Sequence, residues 1–128
     1  MEIWLDDHKF FDLDHIDGYY DKDHLVEYKI NDIDGEHELR FVLKNKLSEH
    51  TTTDAQGNIL SDARAIVKNI KFDSIDCDYL ISTIAQYQHD FNGTGDKITQ
   101  KFYGEMGCNG TVTVKFTTPI YLWLLENL

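Results

Sequence analysis

Apolar and polar residues alternate in short stretches along much of the chain, and this period of two indicates half-buried β-strands. In residues 25–30 one face carries Val26, Tyr28 and Ile30. Residues 37–44 repeat the pattern, and the intervening Asp34-Gly35 is typical of a tight hairpin turn. We therefore predict a hairpin of these two strands, with one face of the second strand formed by Leu39, Phe41 and Leu43.

Similar patterns predict five further strands, at residues 2–5, 8–11, 63–72, 97–103 and 111–117. Asn109-Gly110 favours a second hairpin turn between the last two strands, although Gly104 and Gly107 also allow a longer or bulged connection. Residues 47–60 are polar and are predicted as a loop with a turn at Gln56-Gly57-Asn58.

Two segments favour helices. Residues 76–88 place apolar side chains at helical spacing after Asp76, a good N-cap, although their Ile and Thr content also suits a strand. Thr118-Pro119 is a typical helix start, so residues 120–127 are predicted as one or two helical turns, with a buried strand as the alternative.

These elements predict one domain, residues 1–128, of mainly β structure. The expected architecture is an antiparallel β-sandwich or a jelly-roll-like domain of about six to eight strands with one short helix. A chain of 128 residues can bury enough apolar surface to fold without metals or disulfides.

Negative charge is concentrated in the first third of the chain. The net charge is −11, and residues 1–38 contain 13 acidic residues and three lysines. Residues 39–128 contain ten acidic and nine basic residues, so they are nearly neutral. Such a field repels nucleic acid and anionic membranes and attracts basic protein surfaces. The alternative is that the acidity only keeps the protein soluble.

The docking interpretation assigns partner binding to acidic and aromatic residues of this first third. Paired aromatic residues in alternating structure point to opposite faces, so one of each pair is expected to be exposed and able to anchor a partner. The candidate partner-binding residues are Asp6, Asp7, Asp12, Asp14, Asp17, Tyr19, Tyr20, Asp21 and Asp23.

Patterns for metals, cofactors and catalysis are weak. Residues 12–18 resemble the opening of a calcium-binding EF-hand loop, but Ile16 occupies an oxygen position and Gly18 comes one residue late. An irregular calcium site stays open as an alternative. Neither Cys77 nor Cys108 lies in a C-x-x-C pair, and no nucleophile elbow or phosphate-binding loop occurs. We predict no metal, no cofactor and no enzymatic activity.

The expected location is the cytoplasm. The longest apolar run, residues 120–125, is far shorter than a membrane span, and residues 1–7 are acidic where a secretory signal is basic. Two cysteines suit a reducing compartment. The apolar run is an alternative contact for homo-oligomers.

Together these observations favour a non-enzymatic acidic protein that docks a basic protein surface. Its concrete form is an inhibitor of a nucleic-acid-binding enzyme, of anti-defence or immunity type. In composition the chain resembles small proteins of phages and bacterial conflict systems. The alternative is a β-sandwich recognition or structural module, either a carbohydrate binder or a phage virion component.

Overall fold

The structure, a computed structural model, describes residues 1–13, 23–30, 34–47, 51–62 and 64–127. In chain order its elements are β1 (Glu2–Leu5), β2 (His8–Asp12), β3 (Gly35–Leu43), β4 (Thr51–Thr53), β5 (Ile59–Asp62), β6 (Ala65–Ile66), β7 (Lys71–Phe72), β8 (Ile75–Asp76), α1 (Asp78–Ile84), β9 (Gln86–His89), β10 (Ile98–Lys101), β11 (Glu105–Met106), β12 (Gly110–Thr118) and α2 (Ile120–Asn127).

The main sheet has six strands in the order β10-β9-β12-β3-β1-β2, and every neighbouring pair is antiparallel. At its centre β12 and β3 pair along their whole length, from Gly110 opposite Leu43 to Thr118 opposite Gly35. Two-stranded ribbons are formed by β4 with β5, β6 with β11 and β7 with β8. β1 pairs with the second half of β3, from Glu2 opposite Val42 to Leu5 opposite Leu39.

One face of the main sheet forms the core. Val112 and Val114 of β12 are fully buried, and Phe116 is 6% exposed, as strict alternation requires. Helices α1 and α2 and the residues around the small ribbons pack on this face, contributing Ala65, Leu80, Ile81, Met106, Trp123 and Leu124. The other face presents exposed polar side chains, including Gln86, Gln88, Thr99, Lys115 and Thr117. The arrangement is sandwich-like, with the second layer built from helices and ribbons.

The prediction of a mainly antiparallel β domain is confirmed. The strands predicted at 2–5, 8–11 and 111–117 correspond to β1, β2 and β12, and the predicted helix within 76–88 is α1. The tail forms the predicted helix, α2, rather than the alternative strand. Both helices of the described ranges are too short to cross a membrane.

The predicted hairpin of residues 25–30 and 37–44 is wrong. Residues 23–30 contain no strand, and Gly35 is the first residue of β3 rather than part of a turn. β3 pairs with β12 along its whole length on one side and with β1 over Leu39–Val42 on the other, so its partners are these strands and not residues 25–30. The nine-residue pairing with β12 supplies more hydrogen bonds and buried area than a short local hairpin would.

The strand predicted at 63–72 is also wrong, because within the described residues 64–72 only Ala65–Ile66 and Lys71–Phe72 are strands. Asn69 lies between them with φ +57°, which interrupts an extended run. The backbone N–H groups of Asn69 and Ile70 donate to the carboxylate of Asp78 instead of to a neighbouring strand.

The hairpin turn predicted at Asn109-Gly110 does not form, because Gly110 begins β12 and β10 pairs with β9. A Cβ atom at Gly110 would lie 2.2 Å from the carbonyl oxygen of Gln88. The glycine therefore permits close approach of two strands and is not a turn residue.

The loop predicted at 47–60 contains a β-hairpin, since β4 pairs with β5. The turn predicted at Gln56-Gly57-Asn58 is confirmed, and Gly57 has φ +84°. The carboxylate of Asp54 accepts the N–H groups of Gln56 and Asn58, both at 2.9 Å. Sequence polarity predicted the turn, but the three β-branched threonines of β4 favour a strand.

Candidate functional site

The structure describes four of the nine candidate partner-binding residues: Asp6, Asp7, Asp12 and Asp23. The other five, Asp14, Asp17, Tyr19, Tyr20 and Asp21, lie outside the described residues, as does most of the calcium-loop-like segment 12–18. The four described residues occupy different surroundings, so they do not form one continuous carboxylate surface.

Glu2 and Asp12 are neutralised by lysines at one end of the sheet. Glu2 is 6% exposed, and Lys44 Nζ donates to its carboxylate at 2.5 Å. That hydrogen bond, together with one from the Trp4 indole at 3.0 Å, holds the pKa of Glu2 below its usual value. Lys9 Nζ lies 2.9 Å from Asp12 and 3.6 Å from Glu2. We call Glu2, Asp12, Lys9 and Lys44 the paired end.

Trp4 forms the centre of the paired end on the solvent-facing side of the sheet. The Lys9 ammonium lies 5.8 Å from its ring centroid, and the Arg40 guanidinium lies 5.3 Å from it. Cations over an indole face are attracted by its quadrupole. The ring therefore lies between two cations: Lys9, which contacts the carboxylates of the paired end, and Arg40, which donates to the carbonyl oxygen of Asp6.

Asp6 is a structural turn residue between β1 and β2. Its φ is +52°, a value that Asp tolerates better than most residues. Its carboxylate accepts the backbone N–H of Glu38 and contacts His37 Nδ1, both at 2.8 Å. The hydrogen bond with His37 is the main reason that the pKa of Asp6 lies below its usual value. Asp6 therefore fastens the β1–β2 turn to β3.

Three exposed carboxylates without a cationic partner lie at the opposite end of the sheet. Asp7 belongs to the β1–β2 turn, and Asp34 and Glu36 precede or begin β3, which contacts that turn through Asp6 and Glu38. Among the described residues, no lysine, arginine or histidine nitrogen lies within 4.0 Å of these three carboxylates. We call Asp7, Asp34 and Glu36 the acidic turn end.

Asp34 and Glu36 were not among the candidate residues. Both belong to the acidic first third, but the sequence alone placed Asp34 in a hairpin turn and left Glu36 without a neighbour. The pairing of Leu5 with Leu39 puts the turn that contains Asp7 at the same end of the sheet as the start of β3. Asp34 and Glu36 could have been found from the sequence only if the pairing of β1 with β3 had been predicted correctly.

Asp23 is paired with a lysine from a distant part of the chain. Its side chain is 83% exposed and lies 3.4 Å from Lys68 Nζ. The segment that follows packs beside β2, where Tyr28 stacks on Phe10 with ring centroids 4.5 Å apart. An exposed pair of this kind is worth little, so Asp23 can exchange Lys68 for another cation.

Asp6, His37 and Thr118 have the order of a catalytic triad. His37 Nε2 lies 3.1 Å from the Thr118 hydroxyl, and its Nδ1 contacts Asp6. Thr118 is 5% exposed, and its hydroxyl also lies 3.5 Å from the Gly35 carbonyl oxygen. A buried hydroxyl with these partners cannot reach a substrate, so the three residues join β1, β3 and β12 structurally.

A buried ion pair that sequence reasoning missed anchors the β4–β5 hairpin. The Lys46 side chain is 5% exposed, and its ammonium donates to Asp62 and to the Gly107 carbonyl, both at 2.5 Å. Burial raises the pKa of Asp62, but hydrogen bonds from Lys46 and Thr51 outweigh burial and lower the pKa overall. The pair fixes the base of a hairpin and is not free for a ligand.

An open groove of about 240 Å³ lies beside α1 and β11. Phe102 and Ile81 form its floor, and its lining includes Lys68, Ser82 and Tyr103. Tyr103 is 76% exposed, so its ring is available to a ligand.

The described part of the chain shows neither a metal-binding cluster nor an activated cysteine. Within it, no group of three or more His, Cys, Asp or Glu side chains is arranged to hold a metal ion. Cys77 and Cys108 are both free thiols, and burial raises the pKa of each. A raised pKa keeps a thiol protonated and poorly nucleophilic at neutral pH.

No protein-family model, curated protein or solved structure matches the chain.

Proposed function

We propose that the protein is a non-enzymatic binding protein that docks a basic protein surface through its acidic turn end. Its concrete form is an inhibitor of a nucleic-acid-binding enzyme, of anti-defence or immunity type. The observation that carries the proposal is that Asp7, Asp34 and Glu36 are exposed and form no ion pair with any described residue. Enzymes that bind phosphates present basic grooves, and such grooves attract carboxylates arranged on a rigid sheet end.

The surroundings of the acidic turn end support this use. Asp6 fixes the β1–β2 turn on β3 by its carboxylate, so Asp7 is held on a constrained backbone. Carboxylates that are already ordered lose less entropy when they bind a partner.

The proposal is tested with purified basic nucleic-acid-binding enzymes: a restriction endonuclease, an RNA-guided nuclease and a toxin ribonuclease. We expect at least one to bind, with an association rate that falls as salt rises. The double variant Asp7→Lys/Glu36→Lys should weaken that binding by about tenfold or more, equivalent to about 1.4 kcal/mol.

The matched control is Asp96→Lys/Glu126→Lys, which changes the net charge equally at exposed residues elsewhere. It should retain most of the affinity. Absence of binding to all three enzymes contradicts the proposed function. Equal losses in both double variants contradict the assignment to the acidic turn end, because they would reflect net charge alone.

The groove beside α1 favours a second candidate function, carbohydrate recognition. An exposed aromatic ring beside groups that form hydrogen bonds can stack on a pyranose ring, and Tyr103, Lys68 and Ser82 provide this combination. The test is a ¹⁵N-detected titration with galactose and N-acetylglucosamine. Shifts confined to the groove and lost in Tyr103→Ala, but kept in Tyr121→Ala, support it, and unchanged spectra contradict it.

A further inference from the structure

The last helix, α2, is apolar on both its buried and its exposed face. Successive residues of a helix are rotated by about 100°, so Ile120, Trp123 and Leu124 share one face, and these three are buried in the core. The opposite face carries Tyr121, Leu122 and Leu125, which are 59%, 58% and 78% exposed. We call these three residues the α2 stripe.

A surface helix normally carries polar or charged side chains on the face that meets water. On α2 the single charged residue is Glu126, beside the stripe. Contiguous apolar side chains on a small protein typically mark a contact surface. The stripe therefore indicates that α2 contacts something besides its own core.

An anionic membrane is a poor occupant for this surface. Helices that lie on such membranes carry lysine or arginine beside their apolar face, and α2 contains neither. The net charge of −11 also repels anionic lipid headgroups. A basic protein is equally unsuited, because the stripe contains no carboxylate and α2 as a whole carries only Glu126.

A second copy of the chain fits the stripe best. Two molecules that each carry a charge of −11 repel one another over most of their surface. Residues 116–125 contain no charged side chain, so two copies can meet there with little repulsion. An apolar stripe is also self-complementary, as a two-fold symmetric contact requires.

We propose that the protein forms a weak, reversible homodimer in which the α2 stripes of two copies pack together. Three side chains provide much less than the roughly 800 Å² per partner of a stable interface. The dissociation constant is therefore expected on the order of 100 μM, within the range of transient contacts. Since salt screens the repulsion between copies, raising the salt concentration should strengthen the dimer.

The test is sedimentation equilibrium of the full chain at low and high salt, up to millimolar concentration. The double variant Leu122→Ser/Leu125→Ser should weaken the dimer at least tenfold. The matched control is Leu25→Ser/Ile59→Ser, which removes two other exposed apolar side chains, 88% and 65% exposed. This control should dimerise like the wild type, and circular dichroism should show that both variants fold.

A wild-type protein that stays monomeric over the whole range contradicts the proposal, and so do equal losses in the two double variants. The response to salt separates this contact from the proposed docking of a basic protein. Docking of opposite charges weakens with salt, whereas dimerisation of like-charged copies strengthens. Either proposal can therefore fail without affecting the other.

Discussion

The paired end and the acidic turn end contain carboxylates from the same acidic segment of the sequence. Strand pairing brings lysines to the carboxylates of the first end but not, among the described residues, to those of the second. At the paired end, β2 supplies Lys9 and the end of β3 is followed by Lys44, so both cations reach the buried Glu2. At the turn end, no lysine, arginine or histidine nitrogen of the described residues lies within 4.0 Å of the carboxylates of Asp7, Asp34 and Glu36. The difference shows that strand pairing, rather than the net charge of a segment, decides where a negative surface can form.

The two ends should also differ in what their carboxylates contribute to stability. Glu2 is buried and forms hydrogen bonds with Lys44 and Trp4, so its charge is part of the folded structure. The carboxylates of the acidic turn end are exposed and repel one another, which slightly opposes folding. The carboxylates that stabilise the fold are therefore different from those available to a partner.

The largest expected effect is that of Glu2→Ala. Removing this carboxylate leaves Trp4 Nε1 and Lys44 without their acceptor, and hydrogen bonds to charged groups contribute about 1.5–3 kcal/mol. We expect the free energy of unfolding in urea to fall by about 2 kcal/mol. Asp7→Ala, the control at the other end, should change it by less than about 0.5 kcal/mol. Equal losses would remove the energetic distinction between the two ends.

The regular strands of the main sheet could be predicted from the sequence. β12 and the second half of β3 have strict alternation, because each buries one face against helices and leaves the other in water. β1 and β2 were also predicted, as short strand pieces. The local alternation of apolar and polar residues was sufficient for these elements.

The pairing partners could not be predicted in the same way. Asp34-Gly35 is a good turn by local rules, but β3 gains more from β1 and β12 than from residues 25–30. Likewise, nothing near Lys46 in the sequence indicates that its ammonium is buried against Asp62. Contacts between distant residues decide both cases, so the acidic turn end could be found only after the sheet order was known.

Acidic pH should remove the contribution of the Glu2 carboxylate to the stability of the fold. Because the pKa of Glu2 is lowered on folding, its contribution to stability is fully present above its usual value of about 4.3 and is lost as pH falls through the lowered pKa. We expect Glu2→Gln to be less stable than the wild type at pH 7, and the two to converge in strongly acidic buffer. Urea unfolding at a series of pH values measures this. A constant difference at every pH would mean that the charge of Glu2 contributes nothing.

The third prediction concerns Asp6, which lies at the turn end but has a structural role. Asn tolerates positive φ and can still accept the Glu38 N–H, so Asp6→Asn removes mainly the charged contact with His37. The Asp6 side chain is 45% exposed, so water screens that contact. We expect a loss of about 1 kcal/mol in thermal or urea unfolding. Asp6→Ala should cost more, because it also removes the acceptor of the Glu38 N–H.

The smallest expected effect is that of neutralising the acidic turn end with Asp7→Asn, Asp34→Asn and Glu36→Gln together. These exposed side chains have no cationic partner among the described residues, so their charges contribute only mutual repulsion. We expect the free energy of unfolding to rise slightly, by about 0.3 kcal/mol, and the gain to shrink at high salt as screening removes the repulsion. A loss above about 1 kcal/mol would instead show that these carboxylates stabilise the folded state, as Glu2 does. The acidic turn end would then be a second paired end, and its carboxylates would not be free to dock a partner.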